Sequence, residues 1–292
     1  MLESLRPRMQ RTLQRPAIVC GRGYWSGHEN RVVIHPAAAG AGVVFVRGDI
    51  DPPLSIPVGM EFHVDGVNRT NISAGGVTVQ MVEHVLSALA GLGVDCCRVV
   101  VSSEELPGMD GSAQAFVEAI DAAGLVDLDL PQSPLVIEKT IRVGDDTCWI
   151  EAGPPRFSGL TIDYQLDYGP GVIGRQRLEI DVTPENFRQQ LAGARTFISA
   201  ADAASLKAAG LGLTVTEQDL IVFGPHGPLN NPLRWADECV RHKMLDLVGD
   251  LSLAGRPLQA SVRACRSGHR LNAEMVARML EQADTQRVAL PV

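Results

Sequence analysis

The sequence predicts an α+β protein of two similar domains, each a β-sheet layered against helices, with the functional site at the domain interface. Three observations carry this expectation. Short runs rich in Val and Ile, broken by Gly and Pro, recur from Ala17 to Ile72. Runs such as Arg31-Val32-Val33-Ile34-His35 and Val43-Val44-Phe45-Val46 read as strands joined by turns. The stretch Leu128 to Pro134, with prolines at 131 and 134, reads as a linker and divides residues 1–130 from residues 135–292. Finally, one order of elements occurs twice. Val82-Glu83-His84 opens an amphipathic helix, followed by a strand, Asp110-Gly111 and a second helix. Val240-Arg241-His242 lies early in another such helix, followed by a strand, Gly268-His269 and a last helix. The separations are nearly equal, so a duplication is the preferred reading and a chance recurrence of helix-strand-helix order the alternative.

Element by element, a helical pattern runs from about Val79 to Leu92, then a strand from Cys97 to Ser102. Pro107-Gly108-Met109-Asp110-Gly111 reads as a turn, and a helix follows from about Ser112 to Ala123. Beyond the linker, strands resume at Leu135-Val136-Ile137, Cys148-Trp149-Ile150 and Leu160-Thr161-Ile162. The chain turns helical around Pro184 to Leu191 and from about Trp235 to Leu251. A strand near Leu258 to Val262 and a helix to about Gln282 complete the second half.

Composition narrows the function classes. With 45% hydrophobic and 21% charged residues over 292 positions, the chain is long and apolar enough for a full core. A net charge of -8 argues against nucleic acid as partner, because that footprint needs a basic surface to displace counterions. The six cysteines, Cys20, Cys96, Cys97, Cys148, Cys239 and Cys265, show no CxxC spacing and read as reduced thiols of a cytoplasmic protein. Met1 to Pro16 carries Arg6, Arg8, Arg11 and Arg15 but no apolar stretch long enough for a signal peptide. No run of about 18 apolar residues occurs, so stable membrane insertion is not expected. Nothing marks a partner-binding helix, and a monomer is the expectation.

The chemistry concentrates in three segments. In Arg241-His242-Lys243-Met244-Leu245-Asp246-Leu247-Val248-Gly249-Asp250, residues four apart lie on one helix face, about 6 Å along the axis. His242, Asp246 and Asp250 thus form a stripe, and an imidazole nitrogen and a carboxylate oxygen are both good zinc donors. Taken alone, HxxxD reads as the polar face of an amphipathic helix. Glu83-His84 sits on an otherwise apolar helix, where a charged carboxylate is costly unless paired or functional. Facing domains would bring His84 to His242 as a third ligand, with Glu83 placed as general base; a solvated helix-edge glutamate is the alternative. In Ser267-Gly268-His269 the glycine permits a tight turn at the mouth of a site, and Asp250 on one ring nitrogen would raise the histidine's basicity. A surface histidine in a turn is the alternative. His28, His35, His63 and His226 lack such company and read as structural or exposed.

Together these segments resemble the UDP-3-O-acyl-N-acetylglucosamine deacetylases of lipid A synthesis, over about Gln10 to Leu280. The matching pieces are Val82-Glu83-His84, Ala90-Gly91-Leu92-Gly93, Met109-Asp110-Gly111-Ser112, Ala194-Arg195-Thr196-Phe197, Val240-Arg241-His242-Lys243 through Gly249-Asp250, and Ser267-Gly268-His269 with Leu271-Asn272. The resemblance implies zinc on His84, His242 and Asp246, with ferrous iron as the other candidate. It implies Glu83 as base, His269 with Asp250 behind it for charge stabilisation or acid catalysis, and the Thr196 hydroxyl at the oxyanion. It implies Lys243 near the substrate diphosphate, Arg266 as a further cation, Phe197 against the sugar and Tyr164 stacked on uracil. The implied reaction is removal of the N-acetyl group from a UDP-linked acylated amino sugar, with the site between two α+β domains. Several positions depart from the family pattern: Trp25 in Gly23-Tyr24-Trp25-Ser26-Gly27, Met81 before Val-Glu-His, Thr214-Val215-Thr216 in the insert, and Asp219. They bear on acyl length and substrate identity. The alternatives are therefore a paralogue acting on a different acylated sugar nucleotide and a catalytically silent zinc protein.

Overall fold

A computed structural model describes residues 8–289, with side chains to Thr285. Met1 to Pro7, including Arg6, and Leu290 to Val292 lie outside the described residues.

The strands assemble into an α+β architecture around two main sheets. The first has the spatial order Ala17–Arg22, Glu29–Pro36, Cys97–Val101, Val43–Arg47, Leu54–Pro57. The second has Ile141–Gly144, Trp149–Gly153, Leu258–Cys265, Leu160–Asp167, Arg175–Asp181, with the short strand Leu135–Val136 added beside Leu258–Cys265. The topology is the same in both. Two hairpins form first, and a late strand enters between them, antiparallel to one and parallel to the other.

Among the described residues, six α-helices accompany the sheets: α1 (Glu83–Leu92), α2 (Gln114–Ala123), the short α3 (Pro184–Asn186), α4 (Ala200–Ala208), α5 (Glu238–Leu251) and α6 (His269–Ala289). α1 is apolar nearly all round beyond its first turn, α5 carries a stripe of ionisable groups, and both are almost wholly buried, as helices packed between layers rather than on a surface. They cross each other closely. A Cβ at Gly249 would fall 2.1 Å from the Glu83 carbonyl oxygen, so only glycine admits the contact that brings α5 onto the start of α1. Ile34, Phe45 and Val99 fill the core on the first sheet, and Ile150, Ile162 and Val262 on the second. Among the described residues, no helix is long and apolar enough to cross a membrane.

Each main sheet is followed, before its buried helix, by a small three-stranded insert. The first comprises His63–Gly66, Arg69–Ala74 and Val77–Gln80. The second comprises Phe197–Ser199, Ile221–Gly224 and Gly227–Pro228, with α4 beside it.

Two expected elements change. The helix expected from Val79 begins at Glu83, because Val77–Gln80 pairs with Arg69–Ala74 and Met81 takes a left-handed φ of 61° that no helix continues. The expected linker is a strand to Pro131: Leu125–Pro131 pairs antiparallel with Met9–Leu13. A free edge supplied by the N-terminal strand outweighs the local proline signal.

One buried ion pair anchors the start of α5. Glu238 is fully buried and accepts from the Arg195 backbone N–H at 3.1 Å, from Arg195 Nε at 2.8 Å and from the Arg234 N–H at 2.6 Å. Arg195 also reaches Asn231 Oδ1 and the Pro232 carbonyl. Removing one partner strands the other charge in a dry interior. Glu238→Ala is therefore expected to lose about 3–5 kcal/mol of stability, measurable as a lower urea midpoint. An unchanged midpoint would show that water reaches Arg195.

Candidate metal centre and active site

Three side chains converge where α1 meets α5. His84 comes from the first turn of α1, and His242 and Asp246 lie one turn apart on α5, all buried. Their candidate ligand atoms lie within 4.8 Å of one another. The His84 and His242 rings stand edge to face at 83°, with centroids 5.4 Å apart.

The hydrogen bonds set the tautomer of His242. Its Nδ1 lies 3.1 Å from the Ala194 carbonyl oxygen, which can only accept, so Nδ1 carries the proton. Burial holds the His242 pKa down at about 4, so the ring is neutral near pH 7 and Nε2 presents a lone pair. That Nε2 faces Asp246 Oδ1 at 3.2 Å. Burial alone would raise the Asp246 pKa, but His242 and the Lys243 ammonium, whose Nζ donates to Oδ2 at 2.6 Å, outweigh it and hold the carboxyl well below the usual range. A lone pair and an ionised oxygen at that distance repel unless a cation lies between them. His84 Nε2 is 3.7 Å from the same oxygen, and His84 Nδ1 is buried without a hydrogen-bond partner among the described residues. Two imidazoles and one carboxylate are a donor set that could hold a metal ion and leave a position open for water.

A second cluster stands beside this one. Glu83 is buried and accepts the Thr70 N–H on Oε2 at 3.0 Å; burial pushes its carboxyl upward, against the pull of His269 and His84. Asp250, fully buried one turn beyond Asp246, accepts the Thr70 hydroxyl at 2.5 Å and Asn272 Nδ2 at 2.7 Å. His269 Nδ1 lies 3.0 Å from Asp250 Oδ2. Burial alone would lower the His269 pKa, but the Asp250 charge and hydrogen bond outweigh it and raise it to about 9. Thr70 thus ties Glu83 to Asp250. Spacing had not singled it out, since its partners are 13 and 180 residues away. His63, set aside as structural or exposed, is half-buried and feels the charges of Asp250 and His269.

Around these groups, Thr196 is fixed by its main chain, donating to Gly111 and accepting from Ile221, at 2.8 and 2.9 Å. Phe197 lies between His242 and Tyr168, with centroids 6.4 and 5.6 Å away. Lys243, Arg266, Tyr168 and Ser267 line a recess of about 740 Å³. Arg266 has a left-handed φ of 55°, a strained backbone at the recess wall. Tyr164 differs from expectation. It is 1% exposed and its hydroxyl donates to the Ser267 carbonyl, so it offers no free face for stacking, whereas Tyr168 in the same recess is 56% exposed.

The fold and this paired cluster define a class: a metalloenzyme with the donor set and the neighbouring acid-base groups of a hydrolase. Comparison with known proteins gives the family. Residues 10–281 match the family model described as LpxC, UDP-3-O-acyl N-acetylglycosamine deacetylase. A UDP-3-O-acyl-N-acetylglucosamine deacetylase of Myxococcus xanthus is 38% identical over 272 residues, 93% of this chain and 86% of the relative. One of Hahella chejuensis is 37% identical, covering 96% of this chain and 93% of the relative. One of Actinobacillus succinogenes is 36% identical, covering 96% and 92%. The chain belongs to the UDP-3-O-acyl-N-acetylglucosamine deacetylase family.

Proposed function

We propose that this chain removes the N-acetyl group from a UDP-3-O-acyl-N-acetylglucosamine, the committed step of lipid A synthesis, with zinc on His84, His242 and Asp246. The observation that carries the reading is the His242 lone pair held 3.2 Å from Asp246 Oδ1 with the Glu83 carboxylate on the adjoining residue of α1. Zinc fits two imidazoles and a carboxylate, and ferrous iron is the competing ion. When bound, the metal supplies Lewis-acid polarisation of the acetamide carbonyl and of water.

The chain's own groups supply the rest. Glu83, raised by burial, takes the proton of the attacking water, and the Thr70 N–H holds it in place. Thr196 donates its hydroxyl to the developing oxyanion. His269, kept protonated by Asp250, stabilises that charge and returns a proton to the departing amine. Lys243 and Arg266 face the substrate diphosphate from the recess, with Phe197 against the sugar. The exposed ring for the base is Tyr168 rather than Tyr164. The reading includes two domains, residues 1–130 and 135–292, supported by the recurrent strand order. It also places a monomer in the cytoplasm that meets its lipid-linked substrate by the nucleotide head group. Acetate release from UDP-3-O-(3-hydroxyacyl)-N-acetylglucosamine by metal-quantified protein tests it. No release from fully metallated protein would reject this substrate.

A pH prediction follows from His269. Its useful form is the protonated one, populated below a folded pKa of about 9 and lost above it. Turnover is expected to fall as pH rises through about 9, and Asp250→Asn should move that limb to lower pH. A limb unmoved in Asp250→Asn would remove His269 from the acid role.

A further inference from the structure

Arg69 carries an unmet polar demand next to the site. It immediately precedes Thr70 on the strand Arg69–Ala74, and successive side chains of a strand point to opposite faces. Thr70 turns toward Asp250, while the Arg69 guanidinium lies 5.1 Å from the centroid of the Trp25 ring. Arg69 Nε and Nη1 are buried and have no hydrogen-bond partner among the described residues. Stacking on an indole stabilises the charge but satisfies no N–H, and a buried charged donor left unpaired is costly. An acceptor oxygen from outside the chain would remove that cost.

The turn that braces Arg69 is firmly built. Glu105, 2% exposed, accepts the Trp25 and Ser26 N–H groups at 2.8 Å each. The Tyr24 hydroxyl donates to the Asp219 carbonyl at 2.5 Å, and that carbonyl lies beside Gly111 together with Thr196. Gly27 abuts the Thr214 side chain. The turn therefore forms a wall from Arg69 to the 214–219 segment and Thr196.

The cationic recess is formed by residues 164 to 267 alone, whereas Arg69 and Trp25 come from the N-terminal half. With the diphosphate and base assigned to that recess and the sugar to Phe197, the oxygen-bearing arm left for Arg69 is the acyl group. An alkyl chain offers a buried guanidinium nothing, and a chain hydroxyl offers it an acceptor. We propose that Arg69, stacked on Trp25, is a specificity-determining residue that donates to the 3-hydroxyl of the substrate's acyl chain. This inference rests on the deacetylase reading above.

The test compares acetate release from two UDP-3-O-acyl-N-acetylglucosamines of equal chain length, with and without the 3-hydroxyl. Wild type is expected to favour the hydroxylated substrate in kcat/KM by about 10- to 100-fold. Arg69→Leu should bring that ratio close to one. Arg69→Lys, a point charge without the planar fork, should retain part of it. Trp25→Phe, which weakens the stack without removing the cation, should lower the ratio too. A ratio unchanged in Arg69→Leu, or a parallel loss on both substrates, overturns the Arg69 assignment and leaves the deacetylase reading standing. No acetate release from wild type on either substrate rejects that reading and this inference with it.

Discussion

Glu83→Ala is expected to lower acetate release by about 10²–10⁴-fold while the protein keeps its full metal complement. The reasoning is geometric. Glu83 is not one of the three clustered donors, so its loss leaves His84, His242 and Asp246 in place. It is nonetheless the only carboxylate on α1, next to His84, and burial raises its pKa, which makes it a stronger base than an exposed glutamate. Glu83→Gln refines the test. The amide oxygen still accepts the Thr70 N–H, so the local fold is retained while the base is lost. Near-wild-type turnover in both variants would sink the assignment of Glu83 as base.

Asp246→Ala is expected to abolish metal retention and activity together. Losing one of three donors should weaken metal binding by more than the roughly 10–100-fold typical of changes to groups behind the ligands. The variant also leaves the Lys243 ammonium without the carboxylate it donates to at 2.6 Å, and a cation then faces the metal position directly. Metal analysis after dialysis, with chelator competition for affinity, reads the effect. A variant that holds one equivalent as tightly as wild type would show that the ion binds elsewhere. Asp250→Asn provides the contrast, since Asp250 sits behind His269 rather than in the donor cluster, and metal content should survive there while the pH profile shifts.

The two predictions draw on different levels of information. Spacing alone put His242, Asp246 and Asp250 on one face of a helix, because a 3.6-residue period is a local property of the backbone. Local pattern likewise placed the strands of both halves and the recurrence of Val-Glu-His and Val-Arg-His, so the α+β class was legible before any coordinates. Boundaries were less so. Val79 and Gln80 read as the start of a helix in isolation, yet they belong to the strand Val77–Gln80 because Arg69–Ala74 offers it an edge. Leu125–Pro131 is a strand only because Met9–Leu13 lies beside it.

What the tertiary structure alone decided is where long-range partners fall. Thr70 reaches Glu83 across 13 residues and Asp250 across 180, and no periodicity encodes that. The exchange of Tyr164 for Tyr168 as the exposed ring depends on packing: Tyr164 lies within the strand Leu160–Asp167 and is covered by the core, whereas Tyr168 follows the end of that strand and stays open. Arg69 looks like an ordinary strand cation until the fold sets it against Trp25, with two of its donor nitrogens unmatched among the described residues. The amino-acid sequence by itself determined which chemical groups exist and which helix face each occupies, because those follow from local geometry. The meeting of His84 with His242 and Asp246 required the close α1–α5 crossing at Gly249, because only packing brings residues so distant in the chain within reach of one ion.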